Sequence, residues 1–317
     1  MRTLDLLPPD RSFTWQQWRR LGGTREQLRD LVADSFVLRL FKGLYVVAGL
    51  PLTVELRAQT LSAVMPPNAF ATDETAAWLY GVDVFRGFDD DGLPRLTFFQ
   101  PGAHERLRNG SVLSGSRQVP ASDLRLVHGV AATTPLRTAL DLARLRSADR
   151  AIGALDGLMR LGEFGRGELE HELVRFKGYR GVVQARALVP LADPRSESPA
   201  ESKLRYLWIV SSVKPKPVPQ VRVENPFGWR DWRLDLAVEE LKFAVEYDGE
   251  RFHSTAEQRE HDRRRREYLE SQGWIIVVLT RADVYAPGAD PMRKIAEGLR
   301  RARRRLSIPD DEWRWPA

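Results

Sequence analysis

Two acidic residues, Asp235 and Glu246, are spaced so that their carboxylates could act together. Each lies in an apolar run typical of a β-strand, and a two-residue loop at Glu240 and Leu241 would place Asp235 directly opposite Glu246 on one face of a hairpin. Like charges in such positions destabilise a sheet, so the pair needs a compensating cation. Mg²⁺ prefers oxygen ligands of this kind. The spacing therefore predicts a site for Mg²⁺ or Mn²⁺, with a nearby arginine or a register shifted by one residue as the alternative explanations.

The elements that would position these carboxylates lie between residues 198 and 304. A helix is predicted from Pro199 to Val210, where Ser198 fits the N-cap and Glu201 fits a capping box. Strands are predicted over 218–223, 230–238, 242–248 and 274–279, and helices over 254–272 and 291–304. The other face of the hairpin is expected to be apolar, with Leu234, Leu236, Phe243, Val245 and Tyr247. This pattern predicts a mixed sheet flanked by helices.

Several of these residues, taken in order, resemble the core of the PD-(D/E)XK superfamily, and within it the Vsr-like branch. They are Glu201, Asp235, the run Val245-Glu246-Tyr247-Asp248-Gly249, His253, and the pair Asp262 and Arg265. The resemblance implies a restriction-endonuclease-like fold that cleaves DNA, with Asp235 and Glu246 as metal ligands. It also implies that Glu201 lies just outside the ligands or binds a water, and that His253 assists proton transfer or binds the scissile phosphate.

The usual lysine of the superfamily, two residues after the glutamate, is replaced here by Asp248. The Vsr-like branch also lacks that lysine, so the assignment is kept, but the base that would activate water stays open and an inactive relative is an alternative. Asp248 also has a structural explanation, because the hairpin register would place it opposite Arg233. Glu201 could likewise serve only as the capping partner of Ser198.

The helix predicted over 254–272 is strongly charged and includes four consecutive arginines at 263–266. Asp262, Arg265 and Leu269 follow the helical repeat, so they share one face, and Leu269 should point at the sheet. We therefore expect Arg265 to hold a phosphate or to orient Asp262 beside the site. The two preceding arginines are expected to pair with glutamates on the exposed face.

Residues 1–50 show the order helix, tight turn, helix and β-hairpin that is typical of a winged helix-turn-helix. In this arrangement Arg25 and Arg29 of the second helix would face a major groove, and Arg39 and Lys42 of the hairpin would contact phosphate. Small units of this kind also serve in dimerisation or packing, which is the alternative interpretation.

Residues 51–191 alternate helical and strand-like runs, which predicts a mixed α/β region without an evident catalytic group. The run Lys42-Gly43-Leu44-Tyr45-Val46-Val47 and the segment Glu74-Thr75-Ala76-Ala77-Trp78-Leu79-Tyr80-Gly81 resemble the AbiEi-type antitoxins of type IV toxin–antitoxin systems. This second resemblance covers residues 13–50 and, more loosely, the region to about residue 190. It implies a DNA-binding head, transcriptional autoregulation and a cognate toxin or defence-system partner.

The overall composition suits a polyanionic partner such as DNA, because 49 basic residues exceed 43 acidic ones and give a net charge of +6. Only seven of the basic residues are lysine, and a GC-rich genome would produce the same excess of arginine. The absence of cysteine excludes disulfides, thiol catalysis and cysteine-ligated zinc. No apolar run is long enough for a membrane span and the start of the sequence shows no signal pattern, so we expect a soluble cytoplasmic protein.

Two functional hypotheses follow for this α/β (α+β) multidomain chain. The first is an enzyme, a Mg²⁺-dependent endodeoxyribonuclease that a winged-helix head directs to DNA. The second is a non-catalytic, antitoxin-like transcriptional repressor that uses the nuclease fold only as a DNA clamp. RNA as the substrate is a further alternative. The two hypotheses differ in whether Asp235 and Glu246 matter for anything beyond folding.

Overall fold

The structure is a computed structural model that describes residues 6–84, 94–101, 112–228, 230–249 and 256–308. It is mixed α/β, as the sequence predicts, and its contacts divide the chain into two compact units. The first unit comprises Met1–Arg146 and Leu161–Val189, and the second comprises Ser147–Arg160 and Pro190–Ala317. None of the helices in the described part of the chain combines the length and apolar composition needed to cross a bilayer.

The N-terminal head has the expected order of helix, turn, helix and hairpin. Its elements are β1 (Phe13–Thr14), α1 (Trp15–Arg20), α2 (Arg25–Ala33), β2 (Val37–Phe41) and β3 (Leu44–Val47), with the strands in the order β1-β3-β2. Thr14 and Thr24 cap the two helices, each in a capping box with the glutamine three residues on. A Cβ at Gly23 would lie 2.0 Å from the ring of Trp18, so the turn between the helices requires glycine.

The middle region is built on a five-stranded sheet in the order β6-β5-β4-β8-β7. Its elements are α3 (Val54–Ser62), β4 (Phe70–Ala71), α4 (Asp73–Leu79), β5 (Leu96–Gln100), β6 (Val112–Ser116), β7 (Leu124–Val127), β8 (Val130–Thr133), α5 (Pro135–Leu145), α6 (Ala148–Met159), α7 (Arg166–Glu172) and α8 (Val182–Leu188). Helix α6 belongs to the second compact unit, although the sequence suggested that it forms part of a middle domain. It packs there against the first helix of the C-terminal region.

Buried ion pairs connect several helices and strands of the middle region. The carboxylate of Asp141 is fully buried and contacts three guanidinium groups, of Arg117 at 3.2 Å, Arg137 at 2.8 Å and Arg144 at 2.5 Å. Arg117 also donates to Asp73 Oδ1 at 2.8 Å. Because acids and arginines are interleaved, their charges compensate one another, and we assign this cluster a structural role.

The C-terminal region contains a four-stranded sheet in the order β12-β11-β10-β9. Its elements are α9 (Pro199–Val210), β9 (Val218–Val223), β10 (Trp232–Val238), β11 (Phe243–Asp248), α10 (Ala256–Ser271), β12 (Ile275–Thr280), α11 (Arg281–Tyr285) and α12 (Pro291–Arg305). Strands β9, β10 and β11 are antiparallel, whereas β12 runs parallel to β11. Each predicted element of this region is present, with shifts of up to two residues at its ends.

The hairpin of β10 and β11 has the predicted register, because Leu236 pairs with Val245 and Val238 pairs with Phe243. The predicted two-residue loop is wrong. The connection contains a 3₁₀ turn at Glu239–Leu241 followed by Lys242 in a left-handed conformation, with φ 44°. The observed loop, residues 239–242, has the same midpoint as the predicted loop, residues 240–241. The pairing of the two strands is therefore unchanged.

Two apolar clusters cover the two faces of this sheet. On one face Leu236 and Val245 pack with residues of α9 and α12, including Trp208 and Leu299. On the other face Leu234, Ala237 and Ala244 pack with Leu269 of α10. Leu269 therefore points at the sheet as expected, but the prediction that Leu234 shares a face with Leu236 is wrong. The alternation of side chains between the two faces is interrupted at Asp235. This residue lies opposite Gln220 of β9, which has a left-handed backbone conformation.

Candidate active site

Asp235 and Glu246 lie on the two central strands, one step beyond the paired residues Leu236 and Val245. Both side chains are partly buried. Asp235 Oδ2 accepts a hydrogen bond from the backbone N–H of Tyr247 at 2.9 Å, which holds this carboxylate against β11. The sequence-predicted pair is thus brought together where the two strands lie side by side.

Glu201 brings a third carboxylate to the same place from the first turn of α9. Ser198 Oγ accepts from the backbone N–H of Glu201 at 3.2 Å, so the predicted N-cap is present. The buried Glu201 carboxylate accepts from the backbone N–H of Glu197 at 2.9 Å and from Gln220 Nε2 at 2.8 Å. Capping therefore explains only part of its environment, because the same oxygen also binds a side chain beside Asp235.

Gln220 of β9 is a site residue that the sequence did not identify. Its Nε2 lies 3.4 Å from Asp235 Oδ1 as well as within hydrogen-bond distance of Glu201. Its backbone has a φ of 54°, which is unusual for a residue with a Cβ and more so inside a strand. No pattern of residue types in the sequence marks such a conformation, so the signal is visible only in three dimensions.

The electrostatic environment raises the pKa of Asp235 to about 7. Burial is the main cause, and the negative charges of Glu201 and Glu246 act in the same direction. The Tyr247 N–H and the positive charge of Arg265 oppose the rise without cancelling it. Burial and the two neighbouring acids therefore favour the protonated form of Asp235 below neutral pH.

Arg265 of α10 is the cation that reaches this group. Its guanidinium contacts both oxygens of Glu246, with Nη1 at 3.1 Å from Oε2, and Nη2 donates to the carbonyl of Arg233 at 2.9 Å. A neighbouring arginine, the alternative left open by the sequence, is thus present at Glu246. Arg263 and Arg264 instead pair with Glu260 on the exposed side of the helix, as expected from their positions.

Two further sequence candidates, Asp262 and Asp248, are exposed. Asp262 is 66% exposed, and its side chain lies 3.9 Å from His261 Nδ1, so it is not oriented by Arg265. Asp248 is exposed at the end of β11, and Arg233, its expected partner, pairs with Glu197 instead. His253 lies outside the described residues. Within the described ranges, no three His, Cys, Asp or Glu side chains are arranged so that they could hold a metal ion together.

The four basic residues expected to bind DNA differ in their surroundings. Arg25 and Lys42 are exposed, and the Arg25 guanidinium lies over the ring of Trp15 at 5.3 Å from its centroid. Arg29 is exposed but lies 3.6 Å from Asp30, which offsets its charge. Arg39 is only partly exposed within β2. Arg25 and Lys42 are therefore the better placed of the four for contact with phosphate.

Comparison with known proteins matches two family models to separate parts of the chain. REase_MTES_1575, a restriction-endonuclease-like model, matches residues 218–299. The AbiEi antitoxin C-terminal domain matches residues 68–191. The expected restriction-endonuclease-like region is thus confirmed, and the AbiEi-like resemblance is confirmed over residues 68–191. The AbiEi-like character of residues 13–50 and the Vsr-like branch stay predictions. The AbiEi match lies in the middle region, over which the resemblance seen in the sequence extended more loosely.

Full-length relatives occur in Mycobacterium tuberculosis. Uncharacterized protein MT2308 of strain CDC 1551 / Oshkosh and uncharacterized protein Rv2248 of strain ATCC 25618 / H37Rv are each 32% identical over 281 residues, covering 88% of this chain and 98% of the relative. Among solved structures, that of the RV2827C protein from the same species is 17% identical, covers 68% of this chain and 84% of its own, and has a TM-score of 0.29.

Proposed function

The chain belongs to the same family as these M. tuberculosis proteins, and we propose that it is a metal-dependent DNA endonuclease with a DNA-binding N-terminal head. The restriction-endonuclease-like domain supports a nuclease, and the AbiEi-like domain supports an association with DNA. The catalytic group that we propose comprises Glu201, Asp235, Glu246 and His253.

The observation that carries the proposal is the proximity of the Glu201 and Glu246 carboxylates to that of Asp235, with Arg265 paired to Glu246. Glu201 and Glu246 both raise the pKa of Asp235, so both acids lie close enough to Asp235 to oppose its ionisation. Arg265 contributes one positive charge to the group. A fold that only needed to be stable would gain by replacing such a cluster with apolar residues. Its presence therefore favours a ligand that is itself positively charged.

A divalent cation fits two of these carboxylates, those of Asp235 and Glu246. Asp235 and Glu246 would hold Mg²⁺ or Mn²⁺, and two carboxylates suffice because Mg²⁺ usually keeps several waters in its coordination sphere. When bound, such an ion polarises the scissile phosphate and lowers the pKa of an attacking water. Glu201 would lie just outside the ligands, in contact with Gln220, and would accept hydrogen bonds from waters there.

Arg265 is the residue that we expect to contact the substrate. A guanidinium binds carboxylates and phosphates with the same two-pronged geometry, so a phosphate can replace Glu246 as its partner. Asp248 stands where the superfamily has its lysine, and Arg265 supplies a cation beside the acids from a different element. Arg265 would then neutralise the scissile phosphate, which leaves Glu246 free for the metal.

A second function, a transcriptional repressor of the antitoxin type, is favoured by the AbiEi match. In that case the head would bind operator DNA and the middle region would contact a cognate toxin or a defence-system partner. The ion pair of Arg265 with Glu246 would then be purely structural. Both functions place the protein on DNA, and they differ in the need for metal and in turnover.

The test is incubation of purified protein with supercoiled plasmid, mismatched duplexes, single-stranded DNA and RNA, in Mg²⁺, Mn²⁺ or EDTA. The enzyme proposal expects metal-dependent cleavage of at least one DNA substrate, and cleavage of RNA alone would replace DNA by RNA as the substrate. Tight binding of a specific duplex without cleavage of any substrate would select the repressor instead.

A further inference from the structure

Gln220 adopts a backbone conformation that its position in a strand does not require. Its neighbours pair normally with β10, Pro219 with Leu236 and Val221 with Leu234, and only Gln220 between them is left-handed, with φ 54°. A residue with a Cβ is strained in this region, and strain of this kind concentrates at functional sites. Glycine would remove the strain if only the path of the strand mattered.

The side chain shows what this conformation achieves. The Gln220 amide nitrogen donates to Glu201 Oε2 at 2.8 Å and lies 3.4 Å from Asp235 Oδ1. A carboxamide carries two N–H donors on one nitrogen, so it can serve two acceptors at once. Glu201 belongs to α9 and Asp235 to β10, and Gln220 links them across this gap. In a regular strand the side chains alternate between the two faces of the sheet. The left-handed conformation of Gln220 changes the direction of its side chain, which contacts Glu201 and Asp235.

We propose that Gln220 is a positioning residue, whose amide fixes the separation of the Glu201 and Asp235 carboxylates before metal and substrate bind. The inference deepens the proposed function and rests on it. Two carboxylates without a donor between them would repel each other and move apart. Gln220 thus sets the geometry that a metal ion meets, and groups of this kind affect metal affinity without binding the metal themselves.

Substitution of Gln220 by methionine isolates the role of the amide. Methionine has nearly the same length and volume, and its Cβ suffers the same strain in the left-handed conformation, so the change removes the amide, with its two N–H donors and its carbonyl oxygen, and keeps the shape. Arg222→Met is the matched control, because Arg222 is exposed on the same strand. Gln220→Asn keeps the amide on a side chain that is one methylene shorter, so it should lose less stability and less metal affinity than Gln220→Met.

Two measurements test the proposal in the full-length protein. In EDTA, Gln220→Met should lower the Tm, and the effect should fall by at least half in a Glu201→Met background, because the partner is already missing. In Mn²⁺ titrations followed by calorimetry, Gln220→Met should weaken binding roughly tenfold or more, as other residues that orient metal ligands do. Gln220→Asn should lie between this variant and wild type, and Arg222→Met should match wild type in both assays.

Additive effects of Gln220→Met and Glu201→Met on the Tm would overturn the proposal, as would unchanged Mn²⁺ affinity in a wild type that binds Mn²⁺. A wild type that neither binds Mn²⁺ nor cleaves nucleic acid would refute the proposed function. The Tm values of the two single variants and the double variant in EDTA would still show whether Gln220 couples to Glu201. A failure of the positioning role can therefore be told apart from a failure of the proposed nuclease function.

Discussion

Replacing Asp235 by asparagine should make the metal-free protein more stable at neutral pH while it removes activity. Burial and two neighbouring acids raise the pKa of this carboxyl from 3.8 to about 7. Below pH 3.8 the group is protonated in both the folded and the unfolded chain and has no effect. Between pH 4 and 7 the unfolded chain loses the proton and the folded protein keeps it, so stability falls as the pH rises. Above pH 7 the carboxyl is ionised in both states, so its destabilising effect on the folded protein no longer changes with pH.

The size of this effect follows from the two pKa values. Each pH unit between them corresponds to about 1.4 kcal/mol, so the ionised carboxylate destabilises the folded state by about 2 kcal/mol at pH 5 and about 4 kcal/mol at pH 8. Asparagine carries no charge and keeps one oxygen, which can accept from the Tyr247 N–H, while it gives up the longer contact of Oδ1 with Gln220 Nε2 at 3.4 Å. Asp235→Asn should therefore be more stable than wild type by an amount that grows with pH between these values.

Urea denaturation in EDTA at pH 5 and pH 8 measures this difference. Asp262→Asn is the matched control, because it makes the same chemical change at a side chain that is 66% exposed. Saturating Mg²⁺ should narrow the gap at pH 8, since the ion stabilises only the wild type. A variant that is no more stable than wild type at pH 8, or a difference that does not change with pH, would refute the reasoning.

Three further outcomes are expected. Arg265→Ala should lower the rate of cleavage at least tenfold, because Arg265 contacts Glu246 inside the site. Arg263→Ala should have little effect, because Arg263 is 57% exposed. Equal small losses in a cleavage assay would show that the arginine run is only a solvated surface. The double variant Arg25→Ala, Lys42→Ala should weaken the binding of duplex DNA. The slope of log affinity against log salt concentration should fall in magnitude by about 2, one for each lost phosphate contact. An unchanged slope in fluorescence anisotropy titrations would exclude the N-terminal head as the DNA contact. Gly23→Ala should lower the Tm of the head, because its Cβ would lie 2.0 Å from the Trp18 ring; an unchanged melting curve by circular dichroism would contradict the packing.

The placement of Asp235 against Glu246 could be predicted because a strand has a period of two and the hairpin is symmetric about its loop. A wrong loop length left the register intact, since the added residues lie equally on both sides. The inward position of Arg265 followed from the helical repeat that it shares with Leu269. Both are local regularities, which a single sequence records well.

The features that the sequence could not show depend on contacts between distant segments. Gln220 acquires its role from α9 and β10 together, and a left-handed glutamine has no marker in residue type. The face change at Leu234 follows from the same irregularity. In the middle sheet β4 has only two residues and pairs with strands that are distant in sequence, so its short run carries no periodic signal.

The conversion of supercoiled plasmid to nicked or linear DNA, compared between wild type and Asp235→Asn, tests the central claim most directly. Wild type should convert the plasmid in Mg²⁺ or Mn²⁺ and not in EDTA. Asp235→Asn should be folded, more stable than wild type above pH 7, and inactive in every condition, which separates loss of the site from loss of the fold. An Asp235→Asn variant that cuts as fast as wild type would contradict the assignment of this carboxylate to the catalytic centre.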